Sequence, residues 1–324
     1  MKKIIGIGNA LTDVLAKVDD EHILANLGLP KGSMQLIEES RLPIIRQAMS
    51  RMDVSRATGG SAGNSMLALA NLGACPGFIG KIGNDETGSF YAANATAKGI
   101  VPTLVKSDLP SGIAHTFITP DGERTFATYL GAAGAMQADD LAPRMFEGYD
   151  YLYIEGYLVQ NHALILRAIE LAEQHGMKTC IDLASYNIVA AEHDFFEELL
   201  TKHVDIVFAN EEEARAYAGR EPGEALEVLA GICETAVVKL GAKGSAVMHK
   251  GQKTLVESFG NKPVDTTGAG DYYAGGFMYG MLQGWDMARC AKAGTLLAGH
   301  VIGNIGATLP EAEWEEVRAA LKTL

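Results

Sequence analysis

The chain begins with a short apolar run, Lys3 to Ile7, which has the length and content of a buried strand and empties into Gly8-Asn9-Ala10-Leu11-Thr12-Asp13. After the turn Pro30-Lys31-Gly32 comes a helical pattern over Glu38 to Met52. A second helical run, Met66 to Leu72, follows Thr58-Gly59-Gly60-Ser61-Ala62-Gly63-Asn64-Ser65. Phe78 to Gly88 reads as a strand and a polar glycine turn, with a helix from Ser89. Between Val101 and Leu130 the pattern turns strand-like. Ala114 to Thr119 and Arg124 to Leu130 flank Pro120-Asp121-Gly122-Glu123, which signals a hairpin.

Beyond Gly131 strands and helices alternate. The strands are Tyr151 to Glu155, Lys178 to Asp182, Ile206 to Ala209, Ala236 to Lys239 and Ala246 to His249; the helices are Ala163 to His175, Phe195 to Lys202 and Glu211 to Ala218. This succession predicts a parallel sheet with helices on both faces, and such sheets take their ligands at the carboxyl ends of the strands. Asp13, Tyr157, Asp182, Asn210 and Gly241 all follow strands at that edge.

The stretch on which the chemistry turns is Asp265-Thr266-Thr267-Gly268-Ala269-Gly270-Asp271, with a buried, glycine-packed helix predicted over Tyr272 to Leu282. A tight loop feeding a helix N-terminus offers unpaired N–H groups and the positive end of a dipole to an anion. Asp271 beside that anion has the chemistry to take a proton from an attacking hydroxyl; read alone, it serves equally as an N-cap on a glycine turn. Asp13 likewise suits a vicinal diol, whose two hydroxyls one carboxylate accepts, or a turn cap. A dinucleotide fingerprint fails because Leu11 stands where its third glycine belongs. A Walker A loop fails because Lys243-Gly244-Ser245 has the wrong order.

Composition narrows the partners. The chain has 324 residues, 48% of them hydrophobic, enough for one large α/β domain or a core with a smaller appendage. A formal net charge of −13 excludes a nucleic-acid footprint. Cys75, Cys180, Cys233 and Cys290 lack metal or redox spacing and read as buried free thiols. No apolar run has the length of a signal core or a membrane span, so a cytoplasmic protein is expected.

These motifs, spread over nearly the whole chain, resemble those of the ribokinase-like (PfkB) family of carbohydrate and nucleoside kinases. The resemblance implies a three-layer α/β core with a mostly parallel sheet and helices on both faces, formed by residues 1–13, 58–103 and 131–324. Residues 14–57 and 104–130 would form a small β-sheet lid. Asp271 would be the catalytic base and Gly268, Ala269 and Gly270 its anion hole. Asn9, Leu11, Asp13, Gln35, Gly59, Gly60, Asn64, Phe126 and Tyr157 would meet the substrate. ATP would lie against Asn210, Lys239, Gly241, Gly244, His300 and Asn304. Asn210 and Glu213 match an N-x-x-E motif that holds Mg²⁺ through water, and Asp265 and Thr267 would share a monovalent cation, K⁺.

The implied activity is γ-phosphoryl transfer from ATP to a primary hydroxyl of a ribose-containing substrate. Gly8-Asn9, Leu11, Asp13, Gln35, the Arg124 to Leu130 segment, Tyr157 and Thr308-Leu309-Pro310-Glu311 lean toward adenosine-kinase-like members. A sugar kinase of the ribokinase or fructokinase type explains Asp13, Gly60 and Asn64 as well. A nucleotide-binding regulatory protein that lost catalysis stands as the alternative of another class. A homodimer through the lid is the partner the family suggests, beside the small-molecule substrate, with neither nucleic acid nor membrane.

Overall fold

The computed structural model describes residues 2–121, 123–260 and 262–324; Gly122, in the expected hairpin turn, lies outside them. Fourteen strands occur among the described residues. In chain order they are β1 (Ile4–Ile7), β2 (Leu11–Lys17), β3 (Met34–Leu36), β4 (Val54–Gly59), β5 (Gly77–Gly83), β6 (Val101–Ser107) and β7 (Gly112–Ile118). There follow β8 (Arg124–Tyr129), β9 (Tyr151–Glu155), β10 (Lys178–Asp182), β11 (Ile206–Asn210), β12 (Thr235–Lys239), β13 (Ser245–His249) and β14 (Gln252–Val256).

Nine of them form one sheet in the order β14-β13-β12-β11-β10-β9-β1-β5-β6. From β6 to β12 neighbours are parallel, while β13 and β14 are added antiparallel. The parallel run thus ends at β12, because the connection 240–244, built around the turn Gly241–Lys243, is too short for a crossover and returns the chain as a hairpin. Alternation along the strands feeds two apolar layers. Ile5, Ile7, Leu152, Ile154 and Val207 face one set of helices, and Tyr151, Tyr153, Cys180, Ile206 and Phe208 face the other.

The remaining five strands make a second sheet, β3-β8-β7-β2-β4, with its own core around Val14, Leu24, Leu42, Ile45 and Phe117. Asp13 therefore does not end the first strand. Strand β1 stops at Ile7, and Asp13 is the third residue of β2, paired across to Ala57 of β4 and Ala114 of β7. The hairpin of β7 and β8 is antiparallel, as its turn residues predict. Strand β6 joins the large sheet beside β5. Cys75 is exposed, whereas Cys180, Cys233 and Cys290 are buried free thiols. Among the described residues no helix is long and apolar enough to cross a membrane.

Two helices meet where the sheets face each other, and glycine decides how closely. In the helix Ala269–Gln283, a Cβ on Gly275 would lie 2.7 Å from the Ala68 methyl, and one on Gly276 would lie 2.5 Å from the carbonyl oxygen of Ala293. Their absence lets this helix press against Ser61–Asn71 on one side and Met287–Val301 on the other.

Candidate active site

Each wall of the main cleft is the end of an element. Strands β10, β11 and β12 finish on Asp182, Asn210 and Lys239, and the helices Ser61–Asn71 and Ala269–Gln283 present their N-termini to the same space. The cleft measures about 650 Å³, and Asp13, Gly60, Asn64, Phe126, Tyr157 and Asp271 line one side. Its opposite side comprises Asp182, Asn210, Glu213, Lys239 and the loop Thr267 to Gly270.

Asp271 is in the first turn of its helix, behind Gly268, whose φ of 75° is the left-handed backbone that lets the loop turn into the helix. Ser61 Oγ donates to Asp271 Oδ1 at 2.6 Å and Asn64 Nδ2 to Oδ2 at 2.9 Å. Burial pushes the Asp271 carboxyl up to about 6, against those two hydrogen bonds. Asn64 Oδ1 keeps no partner. Asn64, expected to meet substrate hydroxyls, therefore orients the carboxylate with its amide nitrogen, while its oxygen is buried. Ser61, unmarked in the sequence beyond its place before a helix, completes the clamp.

Asp13 crowds Gly59, where a Cβ would fall 2.4 Å from its carboxyl oxygens, so only glycine permits this approach. Its carboxyl rises to about 7 through burial first and the charge of Asp271 second, with Arg124 opposing. Gly60, at φ 84°, brings its Cα against the carbonyl of Asn9, where a Cβ would stand 2.1 Å away. Asn9 itself faces away from the cleft. Its backbone and side-chain N–H groups donate to Glu155, which also accepts from the backbone of Ala62. Glu155, pushed up to about 7 chiefly by burial, thus fastens the start of β2 to the start of the Ser61–Asn71 helix.

On the opposite side Lys239 Nζ pairs with Asp182 Oδ2 at 2.7 Å, both nearly buried. A Cβ on Gly270 would come within 3.1 Å of that ammonium, which places the lysine directly behind the glycine loop. The Ala269 N–H is taken by the carbonyl of Thr266 at 3.2 Å, leaving Gly268 and Gly270 as the loop's open donors among the described residues. Asn210 and Glu213 cap their helix reciprocally: Glu213 accepts from the Asn210 backbone and side chain at 2.7 Å each. Burial raises Glu213 to about 7, Lys239 opposing. Asp182, Glu213 and Asp271 share the cleft with Lys239 but do not converge as direct ligands among the described residues, so a divalent cation there would be met through water. Because both Glu213 oxygens are engaged, it would reach one through water.

Asp265 and Thr267, expected to share a monovalent cation, hold an arginine instead. Arg124, on β8, puts Nη1 2.7 Å from Asp265 Oδ2 and 3.3 Å from Thr267 Oγ1, with both charged side chains under a tenth exposed. Asp265 also accepts from the backbone of Thr267 and Gly306. A monovalent cation there would lie against a resident guanidinium, so these residues do not fit one.

A second, apolar slot of about 440 Å³ adjoins the cleft and shares Lys239, Gly241 and Gly270 with it. Gly244, at φ 91° and with the Val256 carbonyl 1.9 Å from where a Cβ would be, gives the slot its floor. His300 does not line the slot; it stacks on Phe259, which does, with ring centroids 5.2 Å apart. Asn304 bonds the His300 carbonyl and Glu313 behind it. Gln35 is exposed on β3, bonded to Ser33, and Leu11 starts β2 outside the cleft.

The arrangement pairs a clamped carboxylate and a helix N-terminus with an apolar slot alongside. The sequence model of the pfkB family carbohydrate kinases matches residues 35–314. The chain belongs to that family. The kinase is similar in fold to the solved adenosine kinase of Sinorhizobium meliloti, with a TM-score of 0.86 and 34% identity over 98% of this chain and 99% of that one. A probable sugar kinase from Rhizobium etli CFN 42 gives a TM-score of 0.87 at 32% identity, with 98% of each chain covered. In sequence the kinase is 28% identical to adenosine kinase 2 of Arabidopsis thaliana over 95% of this chain and 96% of that one. It is a phosphotransferase with an alcohol acceptor, of the nucleoside and sugar kinase type.

Proposed function

We propose that this kinase transfers the γ-phosphoryl group of ATP to the primary hydroxyl of a ribonucleoside, adenosine first among candidates. The observation that carries the reading is Asp271, clamped by Ser61 and Asn64 in the same cleft as Asp13. Asp13 would accept the vicinal hydroxyls of the ribose. The primary hydroxyl would then lie between Asp271 and the terminal phosphate. Asp271 takes its proton as it attacks, and the N–H groups of Gly268 and Gly270, with Lys239 behind, oppose the developing charge.

The base of ATP would occupy the apolar slot lined by Gly244, Phe259, Ala298 and Ile302, and the phosphates would run past Gly241 to the glycine loop. Mg²⁺, held through water by Glu213 and Asn210, would supply charge neutralisation between the phosphates. Phe126 and Tyr157 favour a nucleoside over a bare sugar, since both line the cleft and an aromatic ring there can stack on a base. ADP release with adenosine, inosine, ribose and fructose tests the choice. Adenosine should give the highest kcat/KM; turnover of a free sugar alone would replace this reading with the sugar-kinase one.

A further inference from the structure

The strand that carries Asp13 has another face. Thr12 and Val14, its immediate neighbours, point to the reverse side of the lid sheet and line a separate cavity of about 570 Å³. One wall is the lid helix Leu42–Met49; the other is the N-terminal turn of the core helix Glu86–Ala97. Arg56 of β4 spans the rim to Glu86 at 2.9 Å. The cavity thus lies between the two sheets' own helices, outside the cleft described above.

Its charges are unevenly satisfied. Asp85 is already engaged, accepting from Gly88 N, Ser111 N and Ser111 Oγ at 2.6 to 2.8 Å. Arg46 has no ion pair or hydrogen bond among the described residues, although its charge reaches both Asp85 and His115. His115, only 2% exposed, lines the same space, and its Nδ1 lacks a partner. A buried polar atom without a partner costs about 1–3 kcal/mol, and a guanidinium beside it favours an acceptor with negative charge. Val14, Met49, Val54, Phe90, Pro110 and Ile113 give the lining its apolar part, while Thr12, Ser50, Thr87 and the paired Arg56 and Glu86 complete it.

We infer that this cavity binds a small molecule with an anionic head group, phosphate or carboxylate, on an apolar ring or chain, the head meeting Arg46 and His115 and the body lying on Met49 and Phe90. Burial, with the charge of Arg46 next, pushes the His115 imidazole down to about 4, so it meets the head as a neutral ring at pH 7. The site stands independently of the substrate chosen for the cleft.

Hydrogen exchange on the whole enzyme tests it, with phenyl phosphate, benzoate and inorganic phosphate as probes. Phenyl phosphate or benzoate should slow exchange in segments 42–56 and 85–92 at least about fivefold, and inorganic phosphate should need at least about tenfold more to do so. Arg46→Glu, a change on an exposed helix face, should abolish that protection with turnover unaltered; His115→Phe should weaken it. Phenyl phosphate winning over benzoate selects the phosphate head, and the reverse selects the carboxylate. Protection that survives Arg46→Glu, or the absence of local protection by either aromatic anion, overturns the inference.

Discussion

Asn64 Nδ2 lies 2.9 Å from Asp271 Oδ2, a hydrogen bond that joins residues 207 positions apart and fixes the carboxylate where two helix N-termini converge. With Ser61 on the other oxygen, the carboxylate proposed as proton acceptor is held on both sides by one helix. Positioning of this kind governs whether a hydroxyl meets its base in reactive geometry.

Removal of the clamp should therefore act on rate before affinity. Asn64→Ala and Ser61→Ala should each lower kcat by about 10- to 100-fold. Both hydrogen bonds hold the Asp271 carboxyl down against burial. Their loss raises it, so the acid limb of the kcat profile, expected near pH 6 in the native enzyme, moves to higher pH. A pH–rate series on the three proteins reads the shift.

Stability should run against the common trend for carboxylates. Asp13, Glu155 and Glu213 rise to about 7 and Asp271 to about 6, all mainly through burial. Between the ordinary carboxylate range and these values the folded state binds more protons than the unfolded one, so stability falls as pH rises through that window. Thermal unfolding of the ligand-free protein should give a Tm at pH 5.5 that exceeds the Tm at pH 8 by about 2 °C or more. An equal or lower value at pH 5.5 would contradict it.

The Lys239–Asp182 pair predicts an asymmetric mutant series. Lys239→Met leaves Asp182 buried and unpaired, at a cost of about 3–5 kcal/mol, whereas adding Asp182→Leu should recover most of that loss. Activity should stay low in both, because the ammonium behind Gly270 is gone. Denaturant unfolding with parallel assays separates the two effects.

Arg124 on Asp265 and Thr267 makes a monovalent cation superfluous. Replacing potassium by tetramethylammonium should change native turnover by less than about twofold. Arg124→Ala exposes Asp265 and should acquire potassium dependence along with its loss of rate. A strong potassium requirement in the native enzyme would contradict the assignment.

Much of this was legible in the chain. The alternation of strands and helices after Gly131 gives the large sheet, and the strand ends Asp182, Asn210 and Lys239 fall at the cleft because parallel strands share one carboxyl edge. Asp271 and its glycine loop lie where their spacing puts them. What local pattern could not carry was pairing between distant segments. Asp13 stands within a lid strand because β2 finds β4 and β7, which no neighbour of Asp13 signals. Nothing local to Arg124 marks it for Asp265, 141 residues on by the difference of their numbers, to which the hairpin delivers it. Gln35, on an edge strand, and Asn9, turned to Glu155, have motif positions that tertiary contacts redirect.

The most direct measurement is a single-turnover assay of Asp271→Asn, with ATP affinity followed separately by titration calorimetry. The substitution keeps an oxygen for Ser61 and removes the capacity to take a proton. Phosphoryl transfer to the nucleoside should fall by about 10³-fold or more while ATP binds within about threefold of the native protein. Transfer at near-native rate in that variant would contradict Asp271 as the base.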